Sequence, residues 1–275
     1  MQIDRINILG VRISILNMSR AVRVLVDAVA GDARGYVCVT GVHGVIESRR
    51  DGRLRRIHNN SFLTVPDGMP LSWIGKLLGH REMGRVYGPD LMAAVCKESS
   101  IAAAGTGNSY SHFLYGATPE TLDMLVARLR EIYPTIRIAG TYAPPMWTGP
   151  EAPPLSPEEE QELRNMLDSN PPDFLWVGLS TPKQEKFMSL FSPAADGTAP
   201  SNDPLPCKLM LGVGAAFDIL SGRSKDAPRW VKNAGMQWFY RLCQEPRRLW
   251  KRYITIVPCF IFLIMLQALR IKKYR

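Results

Sequence analysis

With 275 residues, 46% of them apolar and 21% charged, the chain has material for one large core or two modest ones and falls outside the disordered class. Its five cysteines, Cys38, Cys96, Cys207, Cys243 and Cys259, form no CxxC pair and no Cys/His metal spacing, which excludes a disulfide framework and a zinc site and leaves reduced, mostly buried thiols. The net charge of +9 is concentrated at one end: residues 241–275 hold nine Lys/Arg against a single acid, Glu245, so the body before Arg241 is nearly neutral and no nucleic-acid partner is expected.

From the N-terminus, Met1–Leu9 is punctuated by Asp4 and Arg5 and contains no apolar run of a secretory signal, so the body is expected in the cytoplasm. Tyr36–Thr40, Phe62–Val65 and His112–Tyr115 are the first strand candidates. Thr118-Pro119-Glu120 supplies a cap, an N1 proline and a first-turn acid, which predicts a helix start. After a strand at Ile136–Gly140, the crowded prolines and small residues of Pro144–Pro154 read as a variable surface loop. Ser156-Pro157-Glu158-Glu159 then predicts a second helix, opened by a capping box with proline at N1. Phe174–Leu179 and Leu209–Val213 complete the strands, with Ser192–Pro206 between them as another surface loop. Such alternation predicts an α/β fold, a mostly parallel sheet with helices on both faces.

The C-terminal run Tyr253–Leu269 is 17 residues without a charge, bracketed by Arg247, Arg248, Lys251 and Arg252 on one side and by Arg270, Lys272, Lys273 and Arg275 on the other. As a helix it would rise ~26 Å against a hydrocarbon core of ~30 Å, and Pro258 interrupts it. Cations on both sides give the positive-inside rule no orientation to choose. Cationic flanks around an apolar segment suit an anionic membrane surface. A soluble domain, residues 1–235, is therefore expected to be delivered to lipid by an appendage, residues 236–275. A C-terminal helix packed on the body, with a solvated basic end, fits the same pattern.

Several constellations offer chemistry. Leu175–Glu185 runs from a strand through a turn into a helix, whose N-terminus exposes N–H groups suited to phosphate; Thr181 and Gln184 equally have the spacing of a simple capping box. In Leu211–Asp218 the glycines let backbone approach a ligand, and Asp218 either accepts hydrogen bonds from a base or ribose or caps a helix. Phe217 in place of the third glycine disfavours a nicotinamide site. Pro66-Asp67-Gly68 puts a carboxylate at the carboxyl end of a strand, where open α/β sheets bind ligands, although the triplet is also ordinary turn chemistry. Arg85 with Gly88-Pro89-Asp90 allows the same two readings. Asp-x-Asp is absent, so a donor diphosphate would be neutralised by arginines and dipoles, for which Trp238–Leu242 and Glu245-Pro246-Arg247-Arg248 are candidates; the same stretch reads as a membrane-facing basic helix, and both readings can hold. His43 and His58 have no Ser or Cys partner at recognisable spacing, which leaves a hydrolytic triad without support.

Thr40, Pro66-Asp67-Gly68, Arg85 with Gly88-Pro89-Asp90-Leu91, Thr181-Pro182-Lys183-Gln184-Glu185, Gly212-Val213-Gly214 with Phe217-Asp218, Ala227-Pro228, and Trp238 with Tyr240-Arg241 and Glu245-Pro246 occur in the order of one family. Over residues 3–252 the chain resembles the WecG/TagA/CpsF glycosyltransferases. That resemblance implies a Rossmann-like body and a bacterial inverting hexosyltransferase. It would move N-acetylmannosamine or a related hexose from a UDP-sugar to a polyprenyl-diphosphate-linked saccharide at the cytoplasmic face of the cell membrane, for cell-surface polysaccharide or teichoic acid. It also implies no metal or other cofactor and an appendage that closes over the diphosphate, and it is compatible with a homo-oligomer. On matching positions, Asp67 takes the general-base role, Thr40, Arg85 and Gln184 line the donor and acceptor pocket, Asp218 contacts the nucleoside, and Arg241 and Arg248 face the diphosphate. The chain departs from the family where a frequent Thr-x-Asn reads Thr40-Gly41-Val42, a frequent Leu-Glu-Trp reads Met236-Gln237-Trp238, and a basic residue before Ala-Pro is Asp226. The rival readings are a membrane-tethered nucleotide-binding protein without catalysis and a Rossmann-type oxidoreductase.

Overall fold

A computed structural model describes residues 3–106, 109–145, 155–193 and 203–274. In chain order its elements are β1 (Arg5–Ile8), β2 (Val11–Ser14), α1 (Met18–Ala30), β3 (Gly35–Thr40), α2 (Val42–Arg50), α3 (Gly52–Asn60), β4 (Leu63–Pro66), α4 (Met69–Leu77), α5 (Gly88–Thr106), β5 (Ser111–Gly116), α6 (Pro119–Ile132), β6 (Arg137–Tyr142), α7 (Pro157–Ser169), β7 (Phe174–Gly178), α8 (Lys183–Phe191), β8 (Leu209–Gly212), α9 (Ala216–Leu220), α10 (Arg229–Asn233), α11 (Gln237–Gln244) and α12 (Pro246–Ala268).

Six strands form one parallel sheet in the order β4-β3-β8-β7-β5-β6. Alternation along each strand feeds two cores. Val37, Val39, Phe174, Trp176, Leu209 and Leu211 face a layer that includes α1, α5, α6 and α9, whereas Tyr36, Cys38, Leu175, Val177 and Met210 face α7 and α8. Burial on both faces is why these strands read as nearly continuous apolar runs rather than as polar–apolar alternation. The α/β fold expected from the sequence is thus present, and each of the six expected strands lies within two residues of its expected limits. Both helix starts stand as read: Thr118 Oγ1 accepts from the Thr121 N–H, and Ser156 with Glu159 forms the reciprocal capping box.

An antiparallel hairpin, β1–β2, is an addition that the sequence reading missed. Its turn is Leu9-Gly10, with φ of 53° and 93°, so a leucine occupies a left-handed position usually held by Asn or Gly and hides the turn signal. Most of Pro144–Pro154 and part of Ser192–Pro206 lie outside the described residues. Within the second segment, however, Leu205 is buried and its N–H donates to the Phe191 carbonyl at 3.0 Å, so this part belongs to the core and not to the surface.

The C-terminal apolar run is also more tightly engaged than expected. α12 carries Pro258 within it, yet buries Ile256 and Phe260 in a third core with Ile6, Ile8, Val11, Ile13, Val45 and Leu71. Gln267 completes the contact: its Oε1 accepts from the Leu9 N–H at 2.8 Å and its Nε2 donates to the Asn7 carbonyl at 2.7 Å. Among the described residues no helix is long and apolar enough to cross a membrane. The other face of α12 leaves Ile254, Ile261, Phe262 and Met265 exposed, as is Leu269 just after its end.

Candidate active site

The strand order reverses direction between β3 and β8, because β3 continues outward to β4 while β8 is reached from β7 on the other side. The crevice beyond the carboxyl ends at such a reversal is where open α/β sheets take ligands. Register brings the candidate residues to it: Thr40 pairs with Pro66 and Cys38 with Gly212, so Asp67 and Gly214 project just past neighbouring strand ends.

Asp67 is fixed by its backbone. Its N–H donates to the Thr40 carbonyl at 2.8 Å, and the Pro66 carbonyl accepts from the Val86 N–H at 2.8 Å. Gly68, at φ 96°, then turns the chain into α4, and Gly41 lets the β3 end approach so closely that an added Cβ would stand 3.0 Å from the Asp67 carbonyl oxygen. Desolvation pushes the Asp67 carboxyl up to about 6, against the pull of Arg241 and then Arg85, with Asp90 adding to the rise. At neutral pH the group is therefore mostly ionised but basic for an aspartate.

Arg85 is oriented by three partners. Its Nη1 donates to Gln237 Oε1 at 3.1 Å, its Nη2 to Asp90 Oδ2 at 3.4 Å, and its guanidinium lies 5.2 Å from the Tyr87 ring centroid. Asp90 also receives Lys232 Nζ at 3.1 Å, and Lys232 pairs in turn with Asp226. Asp226 accepts from Tyr87 Oη at 3.2 Å and from the Ala227 N–H at 2.8 Å. The acid that stood out as a departure before Ala-Pro thus closes a charge-alternating chain between α5 and α10. Tyr87 and Lys232 were not singled out from the sequence, and Gln237 stood out only as a departure from the family's Leu-Glu-Trp. Tyr87 had a signal in its place between Arg85 and Gly88; Lys232 and Gln237 acquire meaning only through contacts across more than 140 positions.

Gln184 does not form the capping box: the α8 N-cap is Pro182, with no side-chain cap. Instead its buried Oε1 accepts from the Gly214 N–H at 2.9 Å and its Nε2 donates to Glu185 Oε1 at 3.0 Å, tying the β7–α8 turn to the β8–α9 turn. Gly212 leaves the room for it, since an added Cβ would meet the Gln184 Cδ at 3.0 Å. Glu185 Oε1 also accepts from Thr181 Oγ1 at 2.9 Å, while Glu185 Oε2, Thr40 Oγ1 and His58 Nε2 are buried without a protein partner among the described residues.

Asp218 is not a cap either: Ala215 holds that position, and the aspartate sits within α9 facing a pocket of about 290 Å³. Tyr87, Arg223, Lys225, Gln237 and Arg241 line the same space. The structure therefore brings Thr40, Asp67, Arg85 and Gln184 to the strand ends and places Asp218 and Arg241 on the adjoining pocket. Arg248 lies on α12, with its side chain outside the described residues. Among the described residues no group of three or more His, Cys, Asp or Glu is placed to hold a metal ion.

Comparison with known proteins places the chain among transferases. The chain is 28% identical over 198 residues to the N-acetylglucosaminyldiphosphoundecaprenol N-acetyl-beta-D-mannosaminyltransferase of Bacillus subtilis strain 168, covering 72% of this chain and 66% of that protein. It is 24% identical over 210 residues to the enzyme of the same name from Bacillus spizizenii strain W23, covering 76% and 71%. The chain thus spans about two thirds of the length of the curated relatives it matches. A model of the glycosyl transferase WecG/TagA/CpsF family matches residues 6–274, and the chain belongs to that family.

Proposed function

We propose that this protein transfers N-acetylmannosamine, or a closely related hexose, from a UDP-sugar to a polyprenyl-diphosphate-linked N-acetylglucosamine, with inversion and without a metal. The observation that carries the reading is the Asp67 carboxyl at the sheet's ligand-binding end, raised to about 6 by desolvation against the opposing pull of Arg241 and then Arg85. Direct inversion requires one base on the acceptor hydroxyl and stabilisation of the departing diphosphate. The acceptor oxygen attacks the anomeric carbon, the bond from that carbon to the UDP oxygen breaks, and the hydroxyl proton passes to Asp67. The charge that appears on UDP falls to Arg241 and Arg248, with Asp218 beside the nucleoside. Thr40 and Gln184 shape the wall between donor and acceptor.

The relatives' acceptor is a lipid, and the exposed apolar face of α12, followed by Arg270, Lys272 and Lys273, suits a helix lying in the plane of an anionic cytoplasmic leaflet. Residues 236–275 then act as the membrane-associating appendage of the body formed by residues 1–235. The test is release of UDP from UDP-N-acetylmannosamine when undecaprenyl-diphosphate N-acetylglucosamine is supplied in mixed micelles. We expect turnover that persists in EDTA. Absence of UDP release, or activity that disappears with EDTA and returns with Mg²⁺, would overturn the reading.

A further inference from the structure

α4 starts two residues after Asp67 and exposes an apolar ladder that the body does not use. Its inner face packs Leu71, Ser72 and Gly75, the last pressed so closely by Met83 that a Cβ has no room. Its outer face presents Met69, Trp73 and Leu77 at the i, i+4, i+8 spacing that stacks side chains in one row. Trp73 is 47% exposed, Leu77 86% and the adjoining Leu78 56%, and Lys76 is the one charged residue on the helix. The near end of the row meets the turn between α10 and α11: an added Cβ on Gly235 would lie 2.9 Å from Trp73 Cη2 and 3.2 Å from Met69 Cβ. From that turn α11 carries Gln237 to Arg85, and Arg241 toward Asp67.

A cationic cluster therefore stands at one end of a row of apolar side chains that leads away for ~12 Å at helical rise and is exposed from Trp73 onward. We propose that the outer face of α4 seats the first isoprene units of the lipid-linked acceptor, while its diphosphate rests near Arg85, and Arg241 is left to the departing UDP. The proposal rests on the transferase reading above and adds where the lipid chain lies. The chemistry is complementary at both ends: a diphosphate requires cations, and the polyprenyl chain attached to it requires an adjacent apolar strip.

The test uses the full chain with the Leu77→Gln and Leu78→Gln changes combined, since both side chains are exposed and neither belongs to the catalytic set. With radiolabelled UDP-N-acetylmannosamine in mixed micelles, KM for undecaprenyl-diphosphate N-acetylglucosamine should rise tenfold or more. With a water-soluble analogue carrying a single isoprene unit, kcat/KM should stay within twofold of the parent. A benzophenone-tagged polyprenyl diphosphate should label α4 in the parent protein whether or not turnover occurs. That readout separates the two ideas: labelling without turnover would sink the transferase reading alone, and turnover without labelling would sink the seat alone. Equal effects on long and short acceptors, or none on either, would overturn the seat. So would a loss of sedimentation with phosphatidylglycerol vesicles lacking acceptor while micellar KM is unchanged, which would make the ladder a bilayer contact.

Discussion

At Asp67 the same burial that makes the carboxylate basic also makes it costly. Its folded pKa of about 6 lies above the unfolded value of 3.8, so its stabilising contribution is complete below pH 3.8 and is lost as pH rises through 6. Asp67→Asn should therefore abolish transfer and yet raise the unfolding free energy at pH 7.5 by up to about 3 kcal/mol, an advantage that disappears near pH 4. Denaturant titration at the two pH values measures it, and a variant no more stable than the parent at pH 7.5 would contradict the burial argument. Base catalysis also places an ascending limb near pH 6 in kcat/KM, which reports the free enzyme. Because Arg241 is the strongest of the two pulls that lower the Asp67 pKa, Arg241→Gln should move that limb upward as well as slow the reaction. A lower rate with an unmoved limb would leave Arg241 a phosphate contact only. Gln184 shows where residue reading stopped. Its spacing from Thr181 fits a helix cap, but its partner Gly214 is 30 positions away, and no local pattern records that bond.

Among elements, those that announced themselves carry their chemistry locally. The α6 and α7 starts need only side chains within three residues, and the six parallel strands need only runs of apolar residues. Elements settled by distant partners were harder to read. The β1–β2 hairpin has four-residue strands, and its apolar alternation, Ile6 and Ile8 against Val11 and Ile13, is too short to distinguish from chance. α12 reads as a lipid segment because every apolar side chain looks available, although the hairpin already covers Ile256 and Phe260. Truncation after Arg252 should therefore uncover Ile8, Leu9, Val11 and Ile13 and yield an aggregation-prone, destabilised protein. Gln267→Ala is the milder test: it leaves the Leu9 N–H and the Asn7 carbonyl without their partner and should lower the unfolding free energy by about 1–3 kcal/mol. A truncated chain with an unchanged thermal midpoint would return α12 to the role of a simple anchor.

On the scale of the whole molecule, charge and sheet order both point to one end. The basic residues expected at the C-terminus deliver Arg241 to the reversal point of the sheet, which is why a composition argument and a motif argument reached the same site. Titration of the interior works in the opposite sense to Asp67. His112, stacked 5.4 Å from Phe174 and accepting from Trp176 Nε1 at 2.9 Å, is driven down to about 4 by burial, and burial lowers His58 as well. The folded state then binds fewer protons than the unfolded one, so stability is full above pH 6.5 and is lost as pH falls toward 4. The expected loss from His112 is about 3 kcal/mol across that window. His112→Asn retains an acceptor for Trp176 and should flatten the decline in denaturant midpoint between pH 6.5 and 4; an unchanged slope would assign the decline elsewhere.

The clasp between Leu9 and Gln267 has a temporal meaning. The two residues are 258 positions apart, and at ~5–20 residues per second the ribosome needs ~13–50 s to pass from one to the other. For all that time the nascent hairpin carries a greasy surface whose cover has not been made. Chaperone demand during synthesis should accordingly be greatest for the β1–β2 hairpin, and the last stretch of α12 is what discharges it.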